Sequence, residues 1–250
     1  MSFPETLKTW RQARRFSQLD LALEADVSAR HVSFLETGRA RPSADMVARL
    51  GAALNLPLDA RNQMLVAAGF AARYPARDWS DDTMAPVRQA VAHTLASHMP
   101  YPALAVDRLW TIVDLNPAAA TLFGAVGLGV GGSILEAMCG PVLPEVVENW
   151  PEVARHAAER LRLESAALGG DEALDRAASY LGVVSGGGAQ TPLGPVIPTI
   201  LRVGETRLSL FATIAQFGTA QDLALADLKI ELYFPADEET ETMLIGQTSS

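Results

Sequence analysis

Residues 16–44 read FSQLDLALEADVSARHVSFLETGRARPSA and decide the fold of the first part of the chain. Leu21, Val32 and Leu35 fall at the offsets at which two short helices bury their facing sides. The first of these helices also carries two alanines on its apolar face, which permits the close approach that a steep crossing needs. The stretch therefore predicts two helices joined by a tight turn.

The turn and the helix ends have their own signals. Asp26 stands where a positive φ is needed, and aspartate is among the few residues other than glycine that tolerate it. Ser28 is placed to cap the second helix, and Gly38 is placed to stop it. Extended over 1–70, helical spacing and stop signals predict five helices of about 8–14 residues.

The charge is divided unevenly along the chain. The whole chain has a net charge of −9, but residues 1–77 hold 11 lysines and arginines against 7 acidic residues. Residues 78–250 hold the remaining 9 basic and 22 acidic residues. A basic head on an acidic body is typical of a protein in which only the head contacts a polyanion such as DNA.

The second part of the chain has a mixed pattern. We predict a linker and connecting helix over 71–94, an α+β domain over 95–241 and a flexible tail over 242–250. The α+β domain is predicted to open with a hairpin, and the other elements are helices and late antiparallel strands. The hairpin is assigned to 103–106 and 109–115, the helices to 116–123, 146–168 and 171–182, and the strands to 195–203, 206–217 and 227–234.

The first segment closely resembles the XRE family of lambda-repressor-like helix-turn-helix regulators. The resemblance covers residues 3–70 and rests on Gln18, on the turn Val27-Ser28 and on Leu35-Glu36-Thr37-Gly38-Arg39. It implies an all-α five-helix DNA-binding domain, with Gln18 bound to the phosphate backbone. Because one such unit makes a small interface, we expect a homodimer on a palindromic operator of double-stranded DNA.

The predicted DNA contacts follow from the docking of the second helix in the major groove. Arg30 is the favoured base reader, because arginine binds guanine bidentately. Ala29 or Phe34 could contact a thymine methyl group. Phosphate contacts fix the register without reading the sequence. The residues predicted to face bases are Ser28, Ala29, Arg30, His31, Ser33 and Phe34, and those predicted to contact phosphate are Gln18, Thr37, Arg39 and Arg41, with His31 open to either role.

The second part resembles the ligand-binding domain of MmyB-like regulators, which has a PAS-like fold. Three segments carry the resemblance, at 102–125, 148–163 and 208–241, and the chain departs from the pattern at 183–194. The resemblance implies a sensor of an apolar small molecule, with fatty acids as the suggested type. Candidate pocket residues are Trp110, Asn116, Phe123, Trp150 and Phe211.

Each of these pocket candidates has an alternative role. The aromatic residues also suit an ordinary core, and Asn116, like Asn149, flanks a helix start, where capping is the commoner role of asparagine. An arginine among Arg155, Arg160 and Arg162 could pair with a ligand carboxylate.

Other chemistry finds little support in the sequence. The Gly127–Gly132 match to G-x-G-x-x-G follows a helix instead of a strand, so we expect a loop and no dinucleotide site. The histidines and the single Cys139 lack metal-ligand spacing, and neither a calcium loop nor a catalytic constellation is found. We therefore expect no metal and no cofactor. One cysteine, no signal peptide and no long apolar run favour a cytoplasmic protein without membrane contact.

Three functions remain open at this point. The leading one is a transcription regulator whose DNA binding responds to a ligand. The second is an enzyme with a DNA-binding head, and the third is a DNA-binding protein whose second domain serves only for dimerisation. An enclosed apolar cavity with a polar anchor favours the sensor, whereas a packed domain without a cavity favours the dimerisation module.

Overall fold

The computed structural model describes residues 1–186, 196–218 and 220–247. The chain forms two compact units. The first comprises Met1–Ala76, Ala166–Asp171 and Ala220–Leu223, and the second comprises Arg77–Ser165, Glu172–Thr219 and Ala224–Ser250.

The first unit begins with the predicted five helices, which confirms its all-α class. They are α1 (Phe3–Ala13), α2 (Gln18–Glu24), α3 (Ala29–Glu36), α4 (Ala44–Ala53) and α5 (Leu58–Ala67). Their apolar faces meet in one core, in which Leu7, Leu21, Val32, Leu35 and Leu50 are fully buried.

Local chemistry sets the limits of these helices. Ser17, Ser28 and Ser43 each accept a hydrogen bond from the backbone N–H three residues on, which satisfies a free donor at the start of α2, α3 and α4. Asp26 has φ 51° in the turn between α2 and α3, and Gly38 has φ 71° after α3. The predicted turn and stop are therefore confirmed.

The second unit is an α+β domain, as predicted. Its strands are β1 (Ala103–Val106), β2 (Ile112–Leu115), β3 (Thr199–Val203), β4 (Thr206–Gln216) and β5 (Lys229–Pro235). They form one antiparallel sheet in the order β2-β1-β5-β4-β3. The helices are α6 (Ala85–Ser97), α7 (Pro117–Gly124), α8 (Ile134–Cys139), α9 (Val142–Val146), α10 (Trp150–Leu168), α11 (Glu172–Val184), α12 (Leu223–Ala226) and α13 (Glu238–Gln247), with a 3-10 turn at Asp82–Met84.

The two faces of the sheet have different roles. On one face, Val91 and Leu95 of α6 pack in one apolar cluster with Ala103, Ala105 and Ile230. Since side chains alternate along a strand, the neighbours of Ile230 in β5 point to the opposite face. The helix predicted as a connection thus forms part of the core of the second unit.

The structure differs from the elements predicted from the sequence at several places. Strand β2 begins at Ile112 instead of Leu109, because Trp110 adopts φ 62° in the turn before it. The flexible tail predicted from residue 242 is wrong up to Gln247, because these residues continue α13 and bury Leu244. Helices α8, α9 and α12 were not expected.

Residues 187–194 of the segment that departs from the MmyB-like pattern lie outside the described residues, as do 248–250. Among the helices that are described, none combines the length and the apolarity that a membrane span requires.

Candidate functional site: a recognition surface and a cavity

The N-terminal part of α3 presents the predicted base-reading residues. Arg30 is exposed, and its guanidinium carbon lies 5.2 Å from the centre of the Phe34 ring. This cation–π contact gives Arg30 a preferred direction and leaves Phe34 half-buried. The Ser28 hydroxyl caps the helix by accepting from the His31 N–H, and Ala29 packs partly against the core. Arg30 is thus the long polar side chain at this helix start.

The predicted phosphate contacts lie after α3 and at the start of α2. Arg39 and Arg41 are exposed, and within the described residues neither side chain makes a hydrogen bond or an ion pair. The Thr37 hydroxyl donates to the Ser33 carbonyl oxygen at 2.8 Å. Two exposed cations in the segment after α3 suit a polyanionic partner.

A buried ion pair holds the fourth phosphate candidate, Gln18. Glu36 accepts from the Arg11 guanidinium at 2.6 and 3.0 Å, and from the Gln18 amide nitrogen at 2.7 Å. The side chains of Arg11 and Glu36 are only 11% and 3% exposed. Glu36 therefore orients Gln18 at the start of α2 and leaves its second amide N–H free for a phosphate oxygen.

The pKa of Glu36 reflects these contacts. Burial raises it, but the hydrogen bonds from Arg11 and Gln18 and the Arg11 charge outweigh burial, so the pKa lies below the ordinary value of 4.5. Sequence reasoning missed Arg11 and Glu36 as a pair. The family-like Glu36 was a signal, but nothing in the sequence shows which cation meets it across 25 residues.

A cavity of about 480 Å³ lies in the second unit, within the range of small-molecule sites. Its lining is mostly apolar and comes from the sheet, from α7 to α10 and from the chain before β3. The lining residues are Trp110, Leu122, Phe123, Val126, Leu128, Ile134, Met138, Leu143, Val147, Trp150, Val153, His156, Ala157, Arg160, Val196, Ile197, Thr199, Leu201, Leu210, Phe211, Ala212, Thr213, Glu231 and Tyr233.

Four of the five predicted pocket residues border this cavity. Trp110, Phe123, Trp150 and Phe211 are all part of its lining. The Phe211 ring, however, stacks on Phe234 with centroids 5.6 Å apart. Phe211 pairs with Phe234 in the sheet register, which puts its ring on the face that packs against α6. The Phe211 ring is therefore a weaker candidate than the other three.

Asn116 does not line the cavity. Its side-chain oxygen accepts from the N–H groups of Ala103 and Ala119, and its amide nitrogen donates to the carbonyl oxygens of Leu95 and Tyr101. The buried amide caps α7 and joins α6 to β1, so it has no donor left for a ligand. This corrects its assignment to the pocket.

One wall of the cavity is polar. Arg160 lies 3.1 Å from Glu164 and 2.9 Å from Glu231, and Lys229 lies 2.8 Å from Glu164. We call these four residues the charge cluster. Of the three arginines considered from the sequence, Arg160 alone is a lining residue.

Two aromatic residues complete this wall. The Trp110 indole N–H donates to Glu164 at 3.0 Å, and its ring lies 4.1 Å from the Arg160 guanidinium carbon. The Tyr233 hydroxyl donates to Glu231 at 2.7 Å. Burial and the Glu231 charge raise the pKa of Tyr233 well above its ordinary value, so Tyr233 keeps its proton as a donor.

The partners in the charge cluster shift each other's pKa. Burial lowers the pKa of Lys229, and the attraction of Glu164 does not fully offset this effect. Burial raises the pKa of Glu164, but the nearby charges of Lys229 and Arg160 outweigh burial, so the pKa of Glu164 is lowered.

Within the described residues no group of three metal-binding side chains is found.

Comparison with known proteins assigns both units. Residues 87–245, more than half of the chain, match the family model described as "MmyB-like transcription regulator ligand binding domain", and residues 7–60 match a helix-turn-helix model. No curated protein matches the chain. The PAS domain of BvgS from Bordetella pertussis is 13% identical, with a TM-score of 0.32 over 67% of this chain and 96% of that one. An RNA-binding light-oxygen-voltage receptor is also 13% identical, with a TM-score of 0.24 over 98% of this chain and 63% of that one.

Proposed function

Because this chain belongs to the MmyB-like transcription regulators and carries a helix-turn-helix, we propose that it binds a palindromic operator as a homodimer. Binding of an apolar small molecule would change the affinity of this homodimer for the operator. The family makes the chain a ligand-responsive regulator and not an enzyme. A fatty acid is the leading candidate for the ligand. The ligand would act by stabilising one of two states that differ in DNA affinity.

The cavity is the observation that carries the ligand part of the proposal. It is mostly apolar, and its charged and hydrogen-bonded polar residues include Arg160, Glu231 and Tyr233, which contact one another. Such a lining suits an apolar molecule with one polar end. A domain that served dimerisation alone would have no use for this space, so the cavity speaks against that alternative.

The DNA part is supported by the exposed cations around α3. A single recognition helix buries little surface, and two-fold dimers overcome this by reading two half-sites about 10 base pairs apart. DNA selected by the purified chain from a random pool should therefore contain an inverted repeat at this spacing. Recovery of single half-sites would show that the dimer proposal is wrong.

Two arginines should separate base reading from phosphate binding. On the selected DNA, Arg30→Ala should weaken binding by about 1–3 kcal/mol and relax the preference at one base pair. Arg39→Ala should weaken binding to every sequence alike and lower the slope of log K against log salt by about one. Fluorescence anisotropy over a salt series measures both effects. If both variants bind DNA as the wild type does, α3 does not dock in the major groove as predicted.

Filling the cavity should remove the ligand response alone. Ala157 is a half-buried lining residue of α10, and a phenylalanine there would occupy space that the ligand needs. We expect Ala157→Phe to lose decanoate binding in calorimetry, and to bind the selected DNA as wild type does without ligand. Ala92→Phe, on the exposed side of α6, is the matched control. Unchanged decanoate binding by Ala157→Phe would place the ligand elsewhere.

A further inference from the structure

The cations of the charge cluster are already paired with the carboxylates of the protein. Arg160 contacts Glu164 through Nε at 3.1 Å and Glu231 through Nη1 at 2.9 Å, and its Nη2 is buried. Lys229 lies 2.8 Å from Glu164, and its side chain is only 7% exposed. A ligand carboxylate placed against this balanced cluster would be a third negative charge beside two others. The head of a fatty acid therefore has no place at the charge cluster.

Three polar residues of the lining lie outside these ion pairs. They are His156, Thr199 and Thr213, and within the described residues none of their side chains makes a hydrogen bond or an ion pair. A threonine hydroxyl stays neutral, whereas an imidazole donates a hydrogen bond through its N–H and can also carry a positive charge. His156 is therefore the lining residue best suited to an anion.

His156 lies at the edge of the cavity face of α10. That face is formed by Trp150, Val153, Ala157 and Arg160, which recur at helical spacing and are buried or half-buried. At about 3.6 residues per turn, position 156 is rotated from the middle of this face toward the solvent side of the helix, and His156 is exposed. A side chain that both lines the cavity and is exposed marks the place where the cavity meets the solvent.

Two carboxylates lie near His156 on the solvent side of α10. They belong to Glu152 and Glu159, one turn before and one turn after it, and both are exposed. Because exposed charges are weakened by water and by salt, they oppose an anion at His156 far less than the buried carboxylates of the charge cluster would.

We infer that a fatty acid enters this cavity with its methyl end first and leaves its carboxylate at the opening, where the His156 imidazole N–H donates to it. This inference rests on the proposed ligand site and specifies how the ligand lies in it. It makes His156 the residue that recognises the acid group, and it requires the other end of the ligand to be apolar.

The orientation is tested with two acids that have the same ten-carbon chain. Decanoate has one carboxylate and decanedioate has one at each end, and both are ionised at pH 7. Since one end of either molecule must lie inside the cavity, decanedioate would bury a carboxylate without a partner. Calorimetry on the full chain should show decanedioate binding at least about tenfold more weakly than decanoate. Equal affinities would overturn the inference but leave the ligand site standing, whereas no binding of either acid would overturn both.

The role of His156 is tested by two substitutions. His156→Ala removes the donor and should weaken decanoate binding by at least about threefold, with a smaller loss for uncharged decanol. His156→Lys supplies a cationic donor and should bind decanoate at least as tightly as the wild type does. His93→Ala, at an exposed position of α6 outside the cavity lining, is the matched control and should leave both affinities unchanged. Wild-type decanoate affinity in His156→Ala, with binding lost in Ala157→Phe, would overturn the inference while supporting the cavity as the ligand site.

Discussion

Replacing Glu36 by alanine should lower the free energy of unfolding of the first unit by about 3–5 kcal/mol. The substitution leaves the guanidinium of Arg11 buried without its counter-charge, and this is far more costly than the loss of a surface ion pair. It also removes the acceptor that orients Gln18, so DNA binding should weaken in the fraction that stays folded. Hydrogen exchange of peptides from α1 to α3 measures the stability of this unit within the full chain.

Two further variants sharpen this test. Glu24→Ala removes an exposed carboxylate of α2 and should change stability by no more than about 0.5 kcal/mol. The double variant Arg11→Met, Glu36→Met removes both charges and should recover much of the loss. If peptides from α1 to α3 exchange hydrogen no faster in Glu36→Ala than in Glu24→Ala, the ion pair does not stabilise the first unit.

The same pair gives the wild-type protein an acid-sensitive stability. The folded pKa of Glu36 lies below its ordinary value of 4.5, so the unfolded state binds the proton more readily. The contribution of Glu36 is therefore fully present above about pH 4.5 and is lost as the pH falls through the folded pKa.

The second large effect is expected at Asn116. Asn116→Ala removes the partners of two backbone N–H groups and two carbonyl oxygens, most of them buried, at the junction of α6, β1 and α7. Because each buried group left unpaired costs about 1–3 kcal/mol, we expect a loss of about 3–5 kcal/mol from the second unit. The loss of unfolding free energy is measured by hydrogen exchange of peptides from β1 and α7 over a series of urea concentrations.

The control for Asn116 lies in α7, the helix that Asn116 caps. Thr121 is exposed on α7, and its hydroxyl donates to the carbonyl oxygen of Pro117 in its own helix, so Thr121→Ala should be close to neutral. The experiment also separates the two roles considered for Asn116. Wild-type stability combined with lost decanoate binding would favour the pocket role predicted from the sequence over the capping role seen in the structure.

The predictions that succeeded rest on local signals. The cap at Ser28, the positive φ at Asp26 and the stop at Gly38 each depend on a few neighbouring residues, so the sequence alone places them. The strands were found in the same way, from alternation and turn residues. At Trp110 this reasoning failed, because an aromatic residue in a left-handed turn looks like part of a strand.

The features that were not predicted are contacts between residues far apart in the sequence and helices too short to show a periodic pattern. Lys229 and Glu164 meet across 65 residues, and no pattern in one sequence announces such a pair. Helices α8 and α9 have six and five residues, too few for a helical period, and Pro144 lies inside the second. The cavity is bordered by both, so its existence could be expected only through the family resemblance.

Strand β5 carries two separate sets of residues. Glu231 and Tyr233 line the cavity and Lys229 pairs with Glu164 on the same side of the sheet, whereas Ile230 and Leu232 pack in the cluster around α6. A substitution at Tyr233 therefore changes the lining of the cavity, while the residues of β5 that pack against α6 stay the same. In evolution or in the laboratory, a new biosensor specificity could arise from alternate positions of one strand while the scaffold stays the same.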